Sequence, residues 1–484
     1  MNLQRTMMSV TKVTRVLCRI GRWSAVVLLL GIGCVAARAL EQDAVAWIEQ
    51  NAIVLDTVEF VDGHEDLLPL IPLFADARIV ALGEGTHGTR EFFTIRLRLM
   101  ELLVDELGFE AFAFEFPYGE GREVNDYVRS GIGDPAEILA RVYCPPWNHQ
   151  EMLDLIGWMR SYNSVPGRTR TLSFHGIDIH DGSSILLIDS ILRFIETVDP
   201  SQMDEFADAL DCFRYRSMYD IARYSDSSDA CLSDLTWVAD QIAANGSRYV
   251  GRSTTRAYEM ALHEARLLLQ RAEFYTLTAE NPEAADDTRD AYMAENLAWL
   301  VDSLGTSERV AVSAHNYHVG RFRDHVHVAG TETRTQTSMG WHLSEWYGDE
   351  YVILATTTRT GEVAIFPFPG SDAVSAEETR GLPQHDIVDV PRLRYGAIVD
   401  LMRAAEVSPC VLDLRVDGAT SATKWLFEDR ALLHFGTMFI PSIGTSYMIQ
   451  VPVAALFDLL IYIDHTTAPH VLPWTPREAL GESG

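Results

Sequence analysis

RIVALGEGTHGTREFFTIRLRLMELLVDELGFEAFAFEF, residues 78–116, reads as strand, turn, helix and strand in succession. Arg78 to Leu82 is a short apolar run of strand length, closed by a glycine-rich turn. From Arg90 to Leu107, Phe93, Leu97, Met100 and Val104 recur at the three-to-four spacing of one helix face. Ala111 to Phe116 is the next strand, ended by Pro117.

The alternation continues outward. Arg170 to Phe174, followed by Gly176, Ile177 and Asp178, gives a third strand. Residues 200–300 lack clear strands and carry helical periodicity, so they form a helical insertion or lobe. Strands return at Arg309 to Ala314, Tyr351 to Thr356 and Val363 to Phe366. The tail reads as a helix over 392–405, short strands near 409–414 and 436–450, and a strand from Leu456 to Ile463. Strand-length apolar runs alternating with helices predict an α/β fold: a mostly parallel central sheet flanked by helices, with a helical insertion. There is no internal repeat and no low-complexity tract.

Residues 1–39 stand apart from this pattern. Arg15, Arg19 and Arg22 precede a 15-residue uncharged run, Trp23 to Ala37, and then Ala37-Arg38-Ala39. A basic segment, a short apolar segment and an A-x-A site make a secretory signal, and the run is short of the roughly 20 residues of a spanning helix. The expected organisation is a signal peptide over 1–39 and one α/β domain over 40–484. The protein is then periplasmic or secreted, with no stable membrane association after cleavage. An uncleaved anchor is the alternative. Of 484 residues, 39 are Lys or Arg and 69 are Asp or Glu, a formal charge of −30. Loss of the leader's six basic residues lowers it to −36. Lys12 and Lys424 are the lysines, and so acidic a chain excludes nucleic acid as a partner, because phosphate binding draws on clustered cations. Export permits disulfides, and Cys212 with Cys231 is the favoured pair among Cys144, Cys212, Cys231 and Cys410.

In open parallel sheets, ligand-binding groups collect beyond the carboxyl ends of the strands. Four strands here end in ionisable residues: Glu84 and His87 after the first, Glu115 on the second, Asp178 and His180 on the third, and His315, Tyr317 and His318 after the fourth. Singly each has a plain structural reading, such as a helix cap for Asp178 or a satisfied structural histidine. A carboxylate within the phenylalanine-rich second strand is harder to dismiss, since burying one without partners costs several kcal/mol, about 3–5. All of them on one sheet edge predict a polar site. Gly83, Gly85 and Gly88 oppose a helical reading of Glu84-x-x-His87 and allow a tight turn, left-handed if needed. That turn leads into a helix N-terminus able to stabilise an oxyanion. Arg96, one residue short of the apolar face, points to the sheet edge or forms a salt bridge to Glu115. No G-x-S-x-G, Walker A, convincing G-x-G-x-x-G, H-E-x-x-H or C-x-x-C sequence occurs, which disfavours a nucleophile elbow, nucleotide binding and structural zinc.

The run LGEGTHGTREFFTIRLRLMELLVDELGFEAFAFEFPYGEG at 82–121 resembles the erythromycin esterase family. Supporting stretches are HGIDIHDG at 175–182, RDAYMAENLAWL at 289–300, VAVSAHNYHVGR at 310–321 and TSMGWHL at 337–343. The resemblance covers about residues 45–465. It implies a metal-independent esterase, with no cofactor, that uses a histidine-activated water. The family's essential histidine corresponds to His87, which would act as general base, and the acid before it to Glu84. Its helix arginine falls on Arg96, to stabilise charge at the carbonyl or to hold Glu115. Its strand glutamate falls on Glu115 and its His-Asn-x-His pair on His315 and His318, groups that orient the base and the water. Asp178, His180 and Tyr317 are candidate substrate-binding residues. The export signal and the long acidic helical region depart from the family's resistance members, so the substrate stays open between a simple ester and a macrolide-type lactone.

Three readings follow. The first is an exported hydrolase of a small-molecule carboxylic ester or macrocyclic lactone, of unspecified oligomeric state, with His87 as base, histidine being the side chain whose unperturbed pKa suits that task. The second uses Glu84, His87, Glu115, His315 and His318 as ligands of a catalytic zinc, which chelation would reveal. The third is a binding or polysaccharide-assembly protein without catalysis, in which His87→Ala leaves function intact.

Overall fold

The computed structural model describes residues 41–473 apart from 62, 143–146, 181–182, 215–227, 306–308, 324, 329–333, 336, 366–385, 392–396, 435 and 437–447. The expected leader, Cys144, Phe366 and the opening of the expected 392–405 helix lie outside the described residues.

Among the described residues, thirteen strands build two sheets. The larger contains β1 (Ile53–Val54), β2 (Ile79–Glu84), β3 (Ala111–Pro117), β4 (Ser173–Asp178), β5 (Val310–His315), β8 (Tyr351–Ile365), β9 (Asp386–Asp389), β10 (Cys410–Asp413) and β13 (Leu459–Thr466). Their order is β1-β10-β13-β8-β2-β5-β3-β4, with β9 on β8. The run from β13 to β4 is parallel throughout, and β1, β10 and β9 join antiparallel. The smaller sheet contains β6 (His325–Val328), β7 (Arg334–Thr335), β11 (Arg430–Leu433) and β12 (Met448–Val451).

Parallel strands covered on both faces bury every side chain, which explains why they read as unbroken apolar runs. Alternate residues then serve two cores. Ile79 and Ala81 of β2, Ala111 and Ala113 of β3, and Val310 and Val312 of β5 face one, packed by Met293, Leu297 and Val301 of the helix Pro282–Leu304. Val80, Leu82, Phe112, Phe114 and Phe116 face the other, against the helices Arg90–Leu107 and Gln150–Asn163. Truncating one such ring, as in Phe112→Ala, costs about 3–5 kcal/mol. The helix Arg90–Leu107 has the expected bounds, and Gly108 ends it at φ 74°, its N–H bonded to the Leu103 and Val104 carbonyls.

The helices Ser184–Val198, Met203–Asp211, Ser228–Ala244, Gly246–Arg252 and Thr255–Glu280 enclose a third apolar core, and within it a disulfide joins Cys212 to Cys231. One expectation needs correcting. Tyr351–Thr356 and Val363–Phe366 are not separate strands: β8 runs unbroken over 15 residues. Gly361, at φ 133°, lies against the Thr466 backbone with no room for a Cβ, so the polar stretch before Val363 is a bend pressed onto β13.

Candidate functional site

β2 runs to β3 past a space that β5 later fills, so three strands that are distant in sequence end side by side. Glu84 is paired with His315 in the β2–β5 register, and Phe114 with Ser313 in the β3–β5 register. Between Phe114 and Pro117 the β3–β4 register slips, leaving Glu115 and Phe116 opposite Ile177 alone. Gly176 accommodates that bulge, for a Cβ there would stand 2.5 Å from the Phe116 carbonyl oxygen. Asn316, directly after β5, ties this edge to β8 by donating to the Thr356 carbonyl (2.7 Å) and accepting from its N–H (3.2 Å).

Glu84 is fully buried, and its two oxygens are divided. Oε1 meets His87 Nδ1 at 2.6 Å, and Oε2 accepts from the Arg96 guanidinium. Burial alone would raise the Glu84 carboxyl; the Arg96 charge, then His87, outweigh it and lower it. Arg96 is itself buried, with its guanidinium 4.5 Å from the Phe93 ring centroid. Of the two alternatives for Arg96, the sheet edge and a salt bridge to Glu115, the structure takes the first: the helix places Arg96 behind Glu84 at the end of β2, not on Glu115.

Glu115 belongs to a second chain of charge. Its Oε1 accepts from Arg289 at 3.0 Å and lies 3.3 Å from His318 Nε2, and its Oε2 accepts from the His315 backbone N–H at 2.9 Å. Burial opposes ionisation, but His318, followed by His87 and Arg289, holds the carboxyl well below its usual range. His318 Nδ1 stands 2.8 Å from Asp290 Oδ1. Burial would lower the His318 pKa, yet Asp290 and Glu115 push it up to about 10, so it is an imidazolium with both protons engaged. Asp178, its carboxyl lowered by Arg289 against burial, completes the group, with Arg289 Nε donating to its Oδ1 at 3.0 Å.

The remaining histidine of the motif is tied differently. His315 Nδ1 accepts from the Tyr317 N–H at 3.2 Å, and Nε2 is 3.3 Å from the Gly85 carbonyl oxygen, which makes it the donor. Burial, with the neighbouring histidines His434, His87 and His318, keeps it neutral. His87 differs from both. Nδ1 is held by Glu84, whereas Nε2 has no hydrogen-bond partner among the described residues; Glu115 Oε1 is 3.9 Å away. Trp147 walls this nitrogen's ring, edge-on at 5.8 Å between centroids.

The structure thus brings together Glu84, His87, Arg96, Glu115, Asp178, His315 and His318. Tyr317 is adjacent, its ring 5.3 Å from that of His318. His180 is tied to the group through its backbone N–H, which donates to Asp178 Oδ1 at 2.9 Å, while its ring packs edge-on against Phe274 of the helical lobe, 5.6 Å between centroids. Gly83, Gly85 and Gly88 are not left-handed; they permit close approach, as a Cβ on Gly88 would meet the Ala364 carbonyl oxygen at 1.8 Å. At the helix N-terminus, Arg90 N–H donates to the Thr467 carbonyl (2.9 Å) and the Glu91 carboxylate accepts from Thr467.

Sequence reasoning missed Arg289, Asp290, Trp147 and His434. The signal for the first two was present, since both open the RDAYMAENLAWL stretch and sit on a helix that packs on the sheet. His434 follows a strand, as the other site histidines do. Among the described residues, no group of three or more His, Cys, Asp or Glu side chains is placed to hold a metal ion. None of their helices is long and apolar enough to cross a membrane.

The erythromycin esterase family model matches residues 104–466. Erythromycin esterase type II of Escherichia coli is 27% identical over 336 residues, spanning 66% of this chain and 78% of its own. A Bacillus subtilis (strain 168) protein, a hydrolase by inference, is 22% identical over 449 residues, 87% of this chain and 90% of its own. Among solved structures, a Bacillus cereus protein superposes with a TM-score of 0.76 at 22% identity, over 89% of this chain and 99% of its own. A mutant erythromycin esterase in its open conformation superposes with a TM-score of 0.63 at 19% identity, over 84% and 95%.

Proposed function

This chain belongs to the erythromycin esterase family, and from that premise we propose that it hydrolyses a carboxylic ester or macrolide-type lactone with water activated by His87. One observation carries the choice of base. Of the three histidines at the sheet edge, His315 has both ring nitrogens bonded and His318 is an imidazolium clasped by two carboxylates, while His87 alone keeps a free ring nitrogen.

The chemistry follows from that nitrogen. Glu84 accepts the Nδ1 proton, so the lone pair of the neutral ring lies on Nε2, and the same carboxylate stabilises the imidazolium that forms when water gives up its proton. Arg96 holds Glu84 in place. Glu115, kept ionised and clamped by Arg289 and the His315 backbone, faces Nε2 and orients the attacking water. The name of the Escherichia coli relative supports a lactone substrate. No step in this scheme calls for a metal. The apolar segment and A-x-A sequence before residue 40 support export, which N-terminal sequencing of protein recovered from outside the cytoplasm tests.

Hydrolysis of a macrolide panel and of aryl esters, with EDTA present and beside His87→Ala, tests the proposal. Turnover that survives EDTA and falls by about 10²–10⁴-fold in the variant is expected. Activity removed by EDTA and restored by zinc would replace the base with a metal site, and full activity in His87→Ala would end the catalytic reading.

A further inference from the structure

The second sheet reaches the open side of His87. β11 ends at Leu433, followed by His434 and Gly436. A Cβ on Gly436 would stand 3.4 Å from His87 Nε2 and 3.2 Å from its Cδ2. A side chain at this position would therefore stand at contact distance from the nitrogen where water must bind, and glycine is the residue that leaves clearance. The His434 ring lies 5.0 Å from His315 and 5.7 Å from Tyr317 between centroids. Its Nδ1 is sealed from solvent and has no hydrogen-bond partner among the described residues.

A buried polar atom without a partner is costly and uncommon, and beside a site its partner is most simply a ligand. Burial, with His318 and His87 next, pushes the His434 pKa down to about 4, so the ring is neutral at the pH where a histidine base works. Arg289 and His318 are engaged with carboxylates, and His315 with a carbonyl. Arg96 Nη1 is also unpaired, but Arg96 meets His87 only through Glu84, on the Nδ1 side.

We propose that His434 is a catalytic residue, donating from Nδ1 to the carbonyl oxygen of the ester, and that Gly436 sets the clearance over His87 in which that carbonyl sits. The proposal rests on His87 as base. The water oxygen bonds to the carbonyl carbon as its proton passes to His87 Nε2, and the C=O π pair moves onto the oxygen that His434 N–H meets. Collapse re-forms the carbonyl, breaks the ester C–O bond and returns the proton from His87 to the departing alkoxide, leaving acid and alcohol.

The test compares wild type, His87→Ala, His434→Ala, His434→Asn, His434→Gln and Gly436→Ala on 4-nitrophenyl acetate and butyrate. An asparagine amide falls near the place of Nδ1 and a glutamine amide near that of Nε2. His434→Ala is expected to lower kcat about 10²–10³-fold with KM little changed, and His434→Asn to recover about tenfold of it where His434→Gln does not. Gly436→Ala should lose more kcat/KM on butyrate than on acetate. His434→Ala within about threefold of wild type, or rescue by Gln equal to that by Asn, would overturn the proposal. If His434→Ala does not fold, the Asn and Gln pair decides alone. Activity retained by His87→Ala overturns the base and with it this proposal, whereas loss in His87→Ala with none in His434→Ala overturns this proposal only.

Discussion

Held between Asp290 and Glu115, His318 binds a proton in the native state that the unfolded chain, at 6.5, releases. Because its pKa is raised to about 10, its contribution to stability is complete below pH 6.5 and is lost as pH climbs toward about 10. Denaturant unfolding should therefore show the stability gap between wild type and His318→Gln narrowing over that window; a gap that widens with pH would refute the imidazolium. Glu84→Gln tests the other chain of charge. It removes the anchor of the His87 tautomer and should lower kcat about 10²–10⁴-fold. It also leaves Arg96 buried without its carboxylate, at a cost of about 3–5 kcal/mol in unfolding experiments. Glu84, His87, Glu115, His315 and His318 were legible because each ends a strand. The partner of Arg96 was not, since helical spacing gives the side of a helix and not which of two carboxylates lies across from it.

At the scale of elements, the turn after β2 shows why glycines can be read but their reason cannot. The sequence marks Gly83, Gly85 and Gly88 as punctuation, yet what they avoid is Asn316, Thr356 and Ala364, brought there by β5 and β8. Gly88→Ala would push a methyl group into the Ala364 carbonyl and should lower the melting temperature by about 4–8 °C or prevent folding. An unchanged melting curve would show that the turn is free of β8. The helix Pro282–Leu304 is the reverse case. Its periodicity was plain, but only the packed structure shows Arg289 reaching both Asp178 and Glu115. Arg289→Leu should leave those carboxylates repelling one another and reduce kcat in the same assay that reads His87→Ala, while Arg289→Lys, which keeps the charge without the fork, recovers only part.

Across the whole molecule, charge and covalent bonding divide the labour differently from the apolar cores. The chain's net charge is −30, yet several of its cations are spent inside: Arg96, Arg98, Arg271 and Arg289 lie buried or half-buried beside carboxylates, carbonyls or hydroxyls. The two cores of the sheet are large and interlocked through alternate strand residues. The helical lobe has only its own smaller core, and its Cys212–Cys231 bridge closes a loop of 19 residues. A crosslink of that span restricts the unfolded chain and is worth about 3 kcal/mol. Reduction with dithiothreitol, or Cys212→Ser with Cys231→Ser, should therefore destabilise the protein by about that amount in denaturant unfolding. Limited proteolysis should cut first within the lobe, where few contacts reach the sheet. If the reduced and oxidised proteins unfold at the same denaturant concentration, the lobe owes its order to its apolar core alone. Cleavage that began instead in the strands would mean that lobe and sheet open as one unit, with Arg271, which donates from the lobe to the Ile179 carbonyl after β4, part of what couples them.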